Sequence, residues 1–354
     1  MGTRGAYDVR LAGQGPVDQG PGRSRVRRVT IYSVAQACGV SSSTVSRAFS
    51  RPDLVNESVR QRILTTAAEM GYRPNRSARA TATGRTGMIG LVVPDITNPF
   101  LPLLVRAVQR AAGLADWSVL LVDAEGDPTA ESQLITQLQG QVDGLILASP
   151  RAHPVALREA IRDLPCVLIN REIAGLASVI CDNSAALASI GDHLLEMGHH
   201  RVALVGGPAD SWVAAQRATT VRGWASRAGV ILDDLGPFEA SFDGGRAAGA
   251  ALLTTDATAV FAFDDVMACG VLAELARRGV TVPGERSVVG CDDVLMARMV
   301  TPSLTTVTAP TDQLGSAAVD LLDRTIDEPR AGPENRTLPG TPALRESSGP
   351  PATP

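Results

Sequence analysis

The sequence predicts an all-α head of three helices, two of them forming a helix-turn-helix, and an α/β body built on two doubly wound parallel sheets. Between residues 29 and 73 the apolar residues recur at helical spacing, whereas from Met88 onward short apolar runs alternate with amphipathic helical segments. This alternation favours parallel strands covered by helices. The length of 354 residues is enough for two or three domains.

The first two helices are predicted within residues 29–47, VTIYSVAQACGVSSSTVSR. Thr30 is placed to cap a helix with an apolar stripe, and Gly39 follows that stripe as the turn residue. Ser41 is placed to cap a second helix, whose outward face carries hydroxyls, one guanidinium and no acidic group: Ser42, Ser43, Thr44, Ser46 and Arg47. Such a face is expected of a helix that lies in a DNA major groove; an ordinary helical hairpin is the alternative.

A third helix completes the head. Asn56 is placed to cap it and Gly71 to end it, which gives a head domain over residues 29–73. Residues 74–86 form a small, polar and basic hinge linker, in which a helix would depend on binding something. Residues 1–28 are rich in Gly, Arg and Pro without periodicity, and we expect a disordered basic extension there.

The body is predicted over residues 87–347, and residues 348–354 form a tail. Its strand-like runs are repeatedly followed by polar residues at the predicted strand ends. In open α/β sheets these carboxyl ends are where ligands bind. Two such sheets facing each other would therefore enclose a ligand cleft.

Charge is distributed unevenly along the chain. Residues 1–86 contain 14 Arg and 5 acidic residues, for a net charge of +9, and the remainder contains 19 Arg and 32 acidic residues, for −13. A basic head on an acidic body is typical of a phosphate-binding module attached to a globular domain. Basic tails also occur without any role in nucleic-acid binding.

Several classes of protein are disfavoured. The five Cys lie singly in apolar runs, so we expect reduced thiols and neither a disulfide nor a metal site. A GxGxxG motif is absent, and no Ser/His/Asp or paired-carboxylate arrangement is visible, so neither an enzyme nor a cofactor is expected. No apolar run reaches the roughly 18 residues of a membrane helix, and residues 1–28 lack the apolar segment of a secretory signal, which favours a cytoplasmic, nucleoid-associated protein.

Several blocks of sequence resemble the LacI/GalR (lactose/galactose repressor) family of bacterial transcription factors. VTIYSVAQACGVSSSTVSRAFS resembles the helix-turn-helix signature of that family, and GYRPN resembles the segment that leads into its hinge. Further matching blocks follow in the family's order, within residues 29–347: TGRTGMIGLVVPDITNPF, MGHHRVALVGGP, FDDVMACGVL, SVVGCDD and TPSLTTV.

The resemblance implies a periplasmic-binding-protein-like body of two lobes with a cleft between them. The first lobe would comprise about 87–182 plus 309–338, and the second about 183–308 plus 339–347. The resemblance also implies a homodimer, with a tetramer left open, whose heads bind the two half-sites of a near-palindromic double-stranded DNA operator. A small-molecule effector in the cleft, expected to be a sugar, would control that binding.

The resemblance assigns DNA contacts by position. Ser42, Ser43 and Arg47 would lie at base edges, with Arg47 suited to guanine. A second group would lie closer to phosphates: Tyr32, Ser41, Thr44, Ser46 and Asn75. Within this group, Ser41 could serve only as a helix cap and Thr44 mainly as a packing residue.

The hinge linker departs from the family pattern at one position. Relatives carry a Leu that wedges into the minor groove and kinks the duplex. Thr81 stands at that position here, and its smaller apolar surface puts the kink in question. Arg76 and Arg79 remain suited to phosphates or to a narrow minor groove.

The resemblance also assigns an effector set at the predicted strand ends. Carboxylates and amides beside an aromatic ring suit a hydroxyl-rich ligand, while helix capping is the alternative for Asp95 and Asp292. The set is Asp95, Asn98, Phe100, Asn170, Arg171, Phe242, Asp264 and Asp292.

One further position departs from the family. Thr220 stands three residues before Gly223, where relatives have Arg, and Arg217 one turn earlier is the candidate replacement. Loss of that cation, together with Asp264 where many relatives have Asn, favours a neutral or amine-bearing sugar over an anionic ligand. A transport-type solute-binding protein is the remaining alternative, because the body alone would fit one; the basic head argues against it.

Overall fold

The computed structural model describes residues 29–50, 52–72, 85–330 and 332–352. The chain divides into two compact units, Met1–Arg79 and Ala80–Pro354. The predictions for the basic extension and for four linker residues lie outside the described residues: Asn75, Arg76, Arg79 and Thr81.

The head contains the three predicted helices, α1 (Ile31–Cys38), α2 (Ser42–Ser50) and α3 (Glu57–Glu69), with a 3₁₀ turn at Pro52–Leu54. Local capping chemistry sets their ends. The Thr30 hydroxyl accepts a hydrogen bond from the Ser33 amide in a capping box, Gly39 has a φ of 64°, and the Asn56 side chain accepts from the Ser58 amide.

The head has its own small core. Val34, Val45 and Ile63 come from different helices and are fully buried against one another. Burial of these aliphatic side chains supplies the free energy that such short helices lack by themselves. The second helix is thereby held with its polar face outward.

The first lobe is a six-stranded, all-parallel sheet with the order β11-β5-β4-β3-β1-β2. Its strands are β1 (Met88–Val93), β2 (Ser118–Asp123), β3 (Gly144–Ala148), β4 (Cys166–Ile169), β5 (Ala177–Asp182) and β11 (Asn335–Pro339). Helices cover both faces: α4 (Phe100–Leu114) and α12 (Thr311–Asp327) on one, α5 (Pro128–Gln137) and α6 (Pro154–Ile161) on the other.

The second lobe is a four-stranded parallel sheet with the order β7-β6-β8-β9. Its strands are β6 (Arg201–Val205), β7 (Ile231–Leu235), β8 (Ala259–Ala262) and β9 (Ser287–Val289). Its helices are α7 (Ser184–Glu196), α8 (Trp212–Ala228), α9 (Phe242–Leu252), α10 (Asp265–Arg277) and the short α11 (Leu295–Met299).

The described chain passes between the lobes three times. It leaves β5 for α7, returns into α12 after β10 (Thr306–Thr308), and crosses again from β11 to β12 (Thr341–Ala343), which pairs antiparallel with β10. Two layered parallel sheets and an α-helical head confirm the predicted fold class.

The sequence patterns did not indicate β5, β7 and β10. β5 is half-polar at its end, and β10 is only three residues long. β7 reads ILDDL and lies at a sheet edge, where Asp233 pairs with Arg201 of the neighbouring β6 and Asp234 is exposed. No helix among the described residues has the length and apolar character that a membrane span requires.

Candidate functional sites: the second helix and the interlobe cleft

The outward face of α2 has the predicted polar character. Arg47, Ser41 and Ser43 are exposed, and Ser42, Thr44 and Ser46 are half-buried. On α1, the Tyr32 side chain is 72% exposed. A solvent-facing guanidinium and phenol beside short hydroxyls give hydrogen-bonding groups that a nucleic acid could contact.

Part of the hydroxyl set already has hydrogen-bond partners at the start of α2. The Ser41 hydroxyl accepts from the Thr44 amide at 3.1 Å, and it also pairs with the hydroxyls of Ser43 at 2.7 Å and Thr44 at 2.8 Å. Ser41 is therefore the helix cap, as its position predicted. Arg47, six residues after Ser41, remains the strong exposed donor of this face.

The body encloses a cavity of about 580 Å³ between the lobes, which we call the main chamber. It lies at the carboxyl ends of the strands, where β1, β3 and β4 of the first lobe face β6 and β8 of the second. The predicted effector residues that line it are Asp95, Asn98, Phe100, Asn170, Arg217, Asp264 and Asp292.

Three predicted effector residues do not line the main chamber. Phe242 opens α9 and is 46% exposed, and from this segment it is Phe238, in the loop ahead of the Ser241 cap, whose ring lines the chamber. Arg171 is buried within the first lobe, where it donates to the Pro150 carbonyl at 3.1 Å. Thr220 faces a separate cavity.

That separate cavity has a volume of about 350 Å³, and we call it the second chamber. Asn170, Val213 and Arg217 line both chambers, so the two lie on either side of a shared wall. Further polar and aromatic lining of the second chamber comes from α8 (Trp212, Gln216 and Thr220), from the first lobe (Glu172, Asp182 and Thr337) and from the start of α7 (Asn183 and Ser184).

A buried ion pair forms the shared wall. Arg217 donates to the Asp292 carboxylate at 2.5 Å and to the Phe263 carbonyl at 2.6 Å, and its guanidinium lies 5.1 Å from the centroid of the Phe263 ring. The side chains of Arg217 and Asp292 are only 11% and 6% exposed. Arg217, the candidate replacement for the cation missing at Thr220, thus lies in the wall of the main chamber, and Asp292 neutralises its charge.

Several predicted residues also have local structural roles. The Asp95 carboxylate accepts from the Thr97 amide and hydroxyl, and the Asn98 side-chain oxygen accepts from the Phe100 amide. Asp264 caps α10 by accepting from the Met267 amide at 2.8 Å. Neither Asp95 nor Asp292 caps a helix, since Asp95 closes a turn and Asp292 accepts from Arg217. Asp264 is the helix cap, a role not predicted for it, and all three residues line the chamber.

Two polar bridges join the lobes across the cleft. The Asn98 amide nitrogen donates to Asp264 at 3.1 Å. Arg151, which follows β3, donates to both carboxylate oxygens of Asp210, which follows β6, at 2.6 to 2.9 Å. These charged partners were not among the predicted residues, because no local pattern links positions 59 residues apart in two lobes.

Burial and charge shift several acid–base equilibria around the cleft. Burial, and then the charge of Asp292, raise the pKa of Asp264 from 3.8 to about 6. Burial also raises the pKa of Asp292, although Arg217 acts in the opposite direction. Burial is the largest influence on Arg217 and lowers its pKa, but Asp292 together with the other negative groups nearby, including Asp264, outweighs burial, so the pKa of the guanidinium is raised.

A buried carboxylate supports the Arg151 loop. Glu131 is 2% exposed and accepts from the amides of Ala152 at 2.7 Å and Arg151 at 3.0 Å. Burial raises its pKa, and these amides act in the opposite direction. The backbone that carries Arg151 is thereby fixed to α5.

Within the described ranges, no group of three or more His, Cys, Asp or Glu could hold a metal ion.

Comparison with known proteins matches both parts of the chain. Residues 30–75 match the family described as bacterial regulatory proteins, lacI family, and residues 191–348 match the periplasmic binding protein-like domain. The ribose operon repressor of Escherichia coli (strain K12) is 33% identical over 328 residues, which cover 90% of this chain and 98% of that protein.

Solved structures agree with this assignment. The lac repressor dimer bound to operator and the anti-inducer ONPF is similar with a TM-score of 0.79 and 25% identity, covering 91% of this chain and 100% of that one. The transcriptional regulator CelR in complex with cellobiose gives a TM-score of 0.67 and 29% identity, covering 90% and 100%. The chain therefore belongs to the LacI family of bacterial transcriptional regulators.

Proposed function

We propose that this protein is a sequence-specific repressor that binds a near-palindromic operator as a homodimer and is controlled by a sugar in the interlobe cleft. The observation that carries the proposal is the combination, in one chain, of an exposed Arg- and Ser-bearing helix on a small head and a polar, aromatic-lined cavity of about 580 Å³ in the body. A DNA-binding regulator of this kind acts on the nucleoid.

The reading of DNA is assigned to α2. Arg47 is exposed and suited to the two acceptors of guanine, whereas the hydroxyls of Ser42 and Ser43 make shorter and more permissive contacts. Tyr32 and the start of α2 are suited to phosphates. Two heads related by a dimer axis would present this surface twice, as a palindromic operator requires.

A neutral sugar is the effector class that suits the cleft. Carboxylates of Asp95 and Asp264 and the amide of Asn98 offer acceptors and donors to hydroxyls, and the ring of Phe238 offers a face to C–H groups. Both cations of the lining are paired with carboxylates, Arg217 with Asp292 and Arg151 with Asp210. A phosphate or carboxylate ligand would have to displace one of these partners.

Relatives support this class of effector. One relative is named the ribose operon repressor, and the similar structure of CelR is a complex with cellobiose. The similar lac repressor structure is a dimer bound to its operator, which supports the proposed mode of DNA binding. The helix-turn-helix head favours a regulator over a transport-type solute-binding protein. Relatives with regulatory names likewise favour a role without enzymatic activity.

A mobility-shift assay tests the proposal. The full-length protein is mixed with DNA from upstream of its own gene and with shuffled DNA of equal length, at fixed salt because phosphate contacts depend on salt. We expect the protein to shift the upstream DNA selectively. Added neutral sugars should increase or abolish this shift, whereas sugar phosphates should leave it unchanged. Equal affinity for shuffled DNA, or a response to sugar phosphates alone, would contradict the proposal.

A further inference from the structure

Arg171 is a buried guanidinium that lies directly behind the loop carrying Arg151. It is the second residue after β4, is 8% exposed, and does not line the main chamber. One of its terminal nitrogens donates to the Pro150 carbonyl at 3.1 Å, and its buried Nε has no hydrogen-bond partner among the described residues. Because burying a guanidinium is costly, its charge has to be compensated by carboxylates nearby.

That compensation comes from two carboxylates that belong to different lobes. Burial lowers the pKa of Arg171, while the charges of Glu131 and then Asp210 act in the opposite direction. Glu131 lies on α5 in the same lobe as Arg171, whereas Asp210 follows β6 in the second lobe. Only the contribution of Asp210 therefore depends on how the two lobes are arranged.

The loop that carries Arg151 is held from behind by backbone contacts of both signs. Glu131 accepts from two amides of this loop at 2.7 and 3.0 Å, and Arg171 donates to the carbonyl of Pro150. The side chain of Arg151 extends from the loop toward the second lobe and donates to Asp210 at 2.6 to 2.9 Å. Asp210 thus lies within the field of two arginines, one that it contacts and one behind the loop.

The arrangement in which Arg151 reaches Asp210 is the closed arrangement of the lobes. Both lobes line the main chamber, for example Asn98 and Ser149 from the first and Asp264 from the second. A ligand that contacts both lobes binds more tightly when they are closed. A residue that favours closure therefore raises effector affinity even when it does not touch the effector.

We propose that Arg171 is a positioning residue for effector binding, which holds the Arg151 loop through Pro150 and favours closure through its attraction to Asp210. This inference rests on the proposed function, because it assumes that the effector occupies the main chamber between the lobes. Arg171 acts from behind the wall of that chamber, in place of the direct effector contact that the family resemblance implied for it.

The test separates the charge of Arg171 from its hydrogen bond. Arg171→Gln removes the charge and keeps a side-chain donor, whereas Arg171→Lys keeps the charge. Small-angle scattering of the ligand-free, full-length protein measures closure, and calorimetry with ribose, glucose and cellobiose measures affinity. We expect Arg171→Gln to raise the radius of gyration and to weaken sugar binding by up to about fivefold, and Arg171→Lys to retain most of both.

Arg162→Gln is the matched control, because it removes an exposed arginine from the same lobe. It should change neither the radius of gyration nor the affinity. Urea denaturation of each variant reports stability separately. If Arg171→Gln lowers stability while closure and affinity stay unchanged, the role of Arg171 is purely structural and the inference is overturned.

A double-mutant cycle with Asp210→Asn tests the route of the effect. If Arg171 acts through Asp210, Arg171→Gln should have no further effect on closure once Asp210 is neutral. An equal effect of Arg171→Gln in both backgrounds would overturn the inference.

Failure of the proposed function would give a different result. If no sugar of the panel binds while Arg171→Gln still opens the ligand-free protein and Asp210→Asn still cancels that effect, the role in closure stands and the sugar effector is rejected. If sugars bind and alter the DNA shift while Arg171→Gln changes neither closure nor affinity, the positioning role is rejected and the sugar-controlled repressor stands.

Discussion

Arg151 and Asp210 hold the two lobes together at the edge of the ligand cleft. The guanidinium of Arg151 donates to both carboxylate oxygens of Asp210, at 2.6 and 2.8 Å from one nitrogen and at 2.9 Å from a second. The two side chains are 26% and 37% exposed, so water and salt screen the pair in part. The pair thus stabilises the closed arrangement of the lobes by a modest amount.

Asp210→Asn is expected to loosen that closure. Loss of the ion pair removes up to about 1 kcal/mol from the closed state, which lowers the ratio of closed to open molecules by up to about fivefold. The radius of gyration of the ligand-free protein, measured by small-angle scattering, should therefore rise and its effector affinity should fall. Asp210 does not line the main chamber, so direct ligand contacts remain.

Asp234→Asn is the matched control for this change. Asp234 forms a more exposed pair with Arg222 at the same 2.6 Å distance, but both residues belong to the second lobe. We expect its radius of gyration and effector affinity to equal those of the unaltered protein. Equal effects of the two substitutions would mean that closure does not depend on the Arg151–Asp210 pair.

Arg47→Ala is expected to reduce discrimination as well as affinity. A bidentate contact to guanine contributes about 1–3 kcal/mol of preference for the correct base. Binding of the operator should weaken about tenfold or more, while binding of shuffled DNA changes far less. Arg62→Ala removes the same charge from an exposed position on α3 and serves as the control. A uniform loss across both DNAs would make Arg47 a phosphate contact.

Arg217→Met is expected to destabilise the body strongly. Removing one partner of a buried ion pair typically reduces the free energy of unfolding by about 3–5 kcal/mol, because the remaining charge is left unpaired. The double variant Arg217→Met/Asp292→Asn should recover most of this loss in urea denaturation. An additive loss in the double variant would show that packing, and not the unpaired charge, is responsible.

Effector affinity is expected to rise with pH around Asp264. Its pKa is raised to about 6, so the carboxyl is mostly protonated at pH 5 and mostly ionised at pH 7. A sugar hydroxyl donates to the ionised form, and below pH 6 binding must therefore release a proton. Calorimetry should show affinity that falls by up to about tenfold per pH unit below 6 and levels off above it. Asp264→Asn should flatten this dependence.

Local signals explain why the head could be predicted from the sequence. Thr30, Gly39 and Asn56 act on residues within four positions of themselves, through side-chain caps and a left-handed backbone. Such chemistry is visible in the sequence without knowledge of the tertiary structure. The two sheets could be predicted because the alternation of apolar runs with helical segments is likewise a local signal. The half-polar edge strand β7 lacks such a run and was missed.

The lining of the cleft was harder to predict. The direction in which a long side chain points depends on where its helix begins and on the path of the preceding loop. Counting back from Gly223 selected Thr220, whereas α8 begins at its Ser211 cap and places Arg217 in the main chamber. Phe242 and Phe238 are separated by the loop that enters α9, and only the second lines the chamber. Sequence spacing alone does not show which way such side chains point.

The return of the chain to the first lobe has a consequence for synthesis on the ribosome. The first lobe is completed by α12 and β11, which contribute Leu314, Ala318 and Leu322 to its core and a strand to its sheet. These segments are translated after every strand of the four-stranded sheet, so the first lobe stays incomplete until β11 has emerged. The head, whose helices end at Glu69, is complete far earlier. A nascent chain thus carries its DNA-binding helix long before it possesses a cleft that could regulate it.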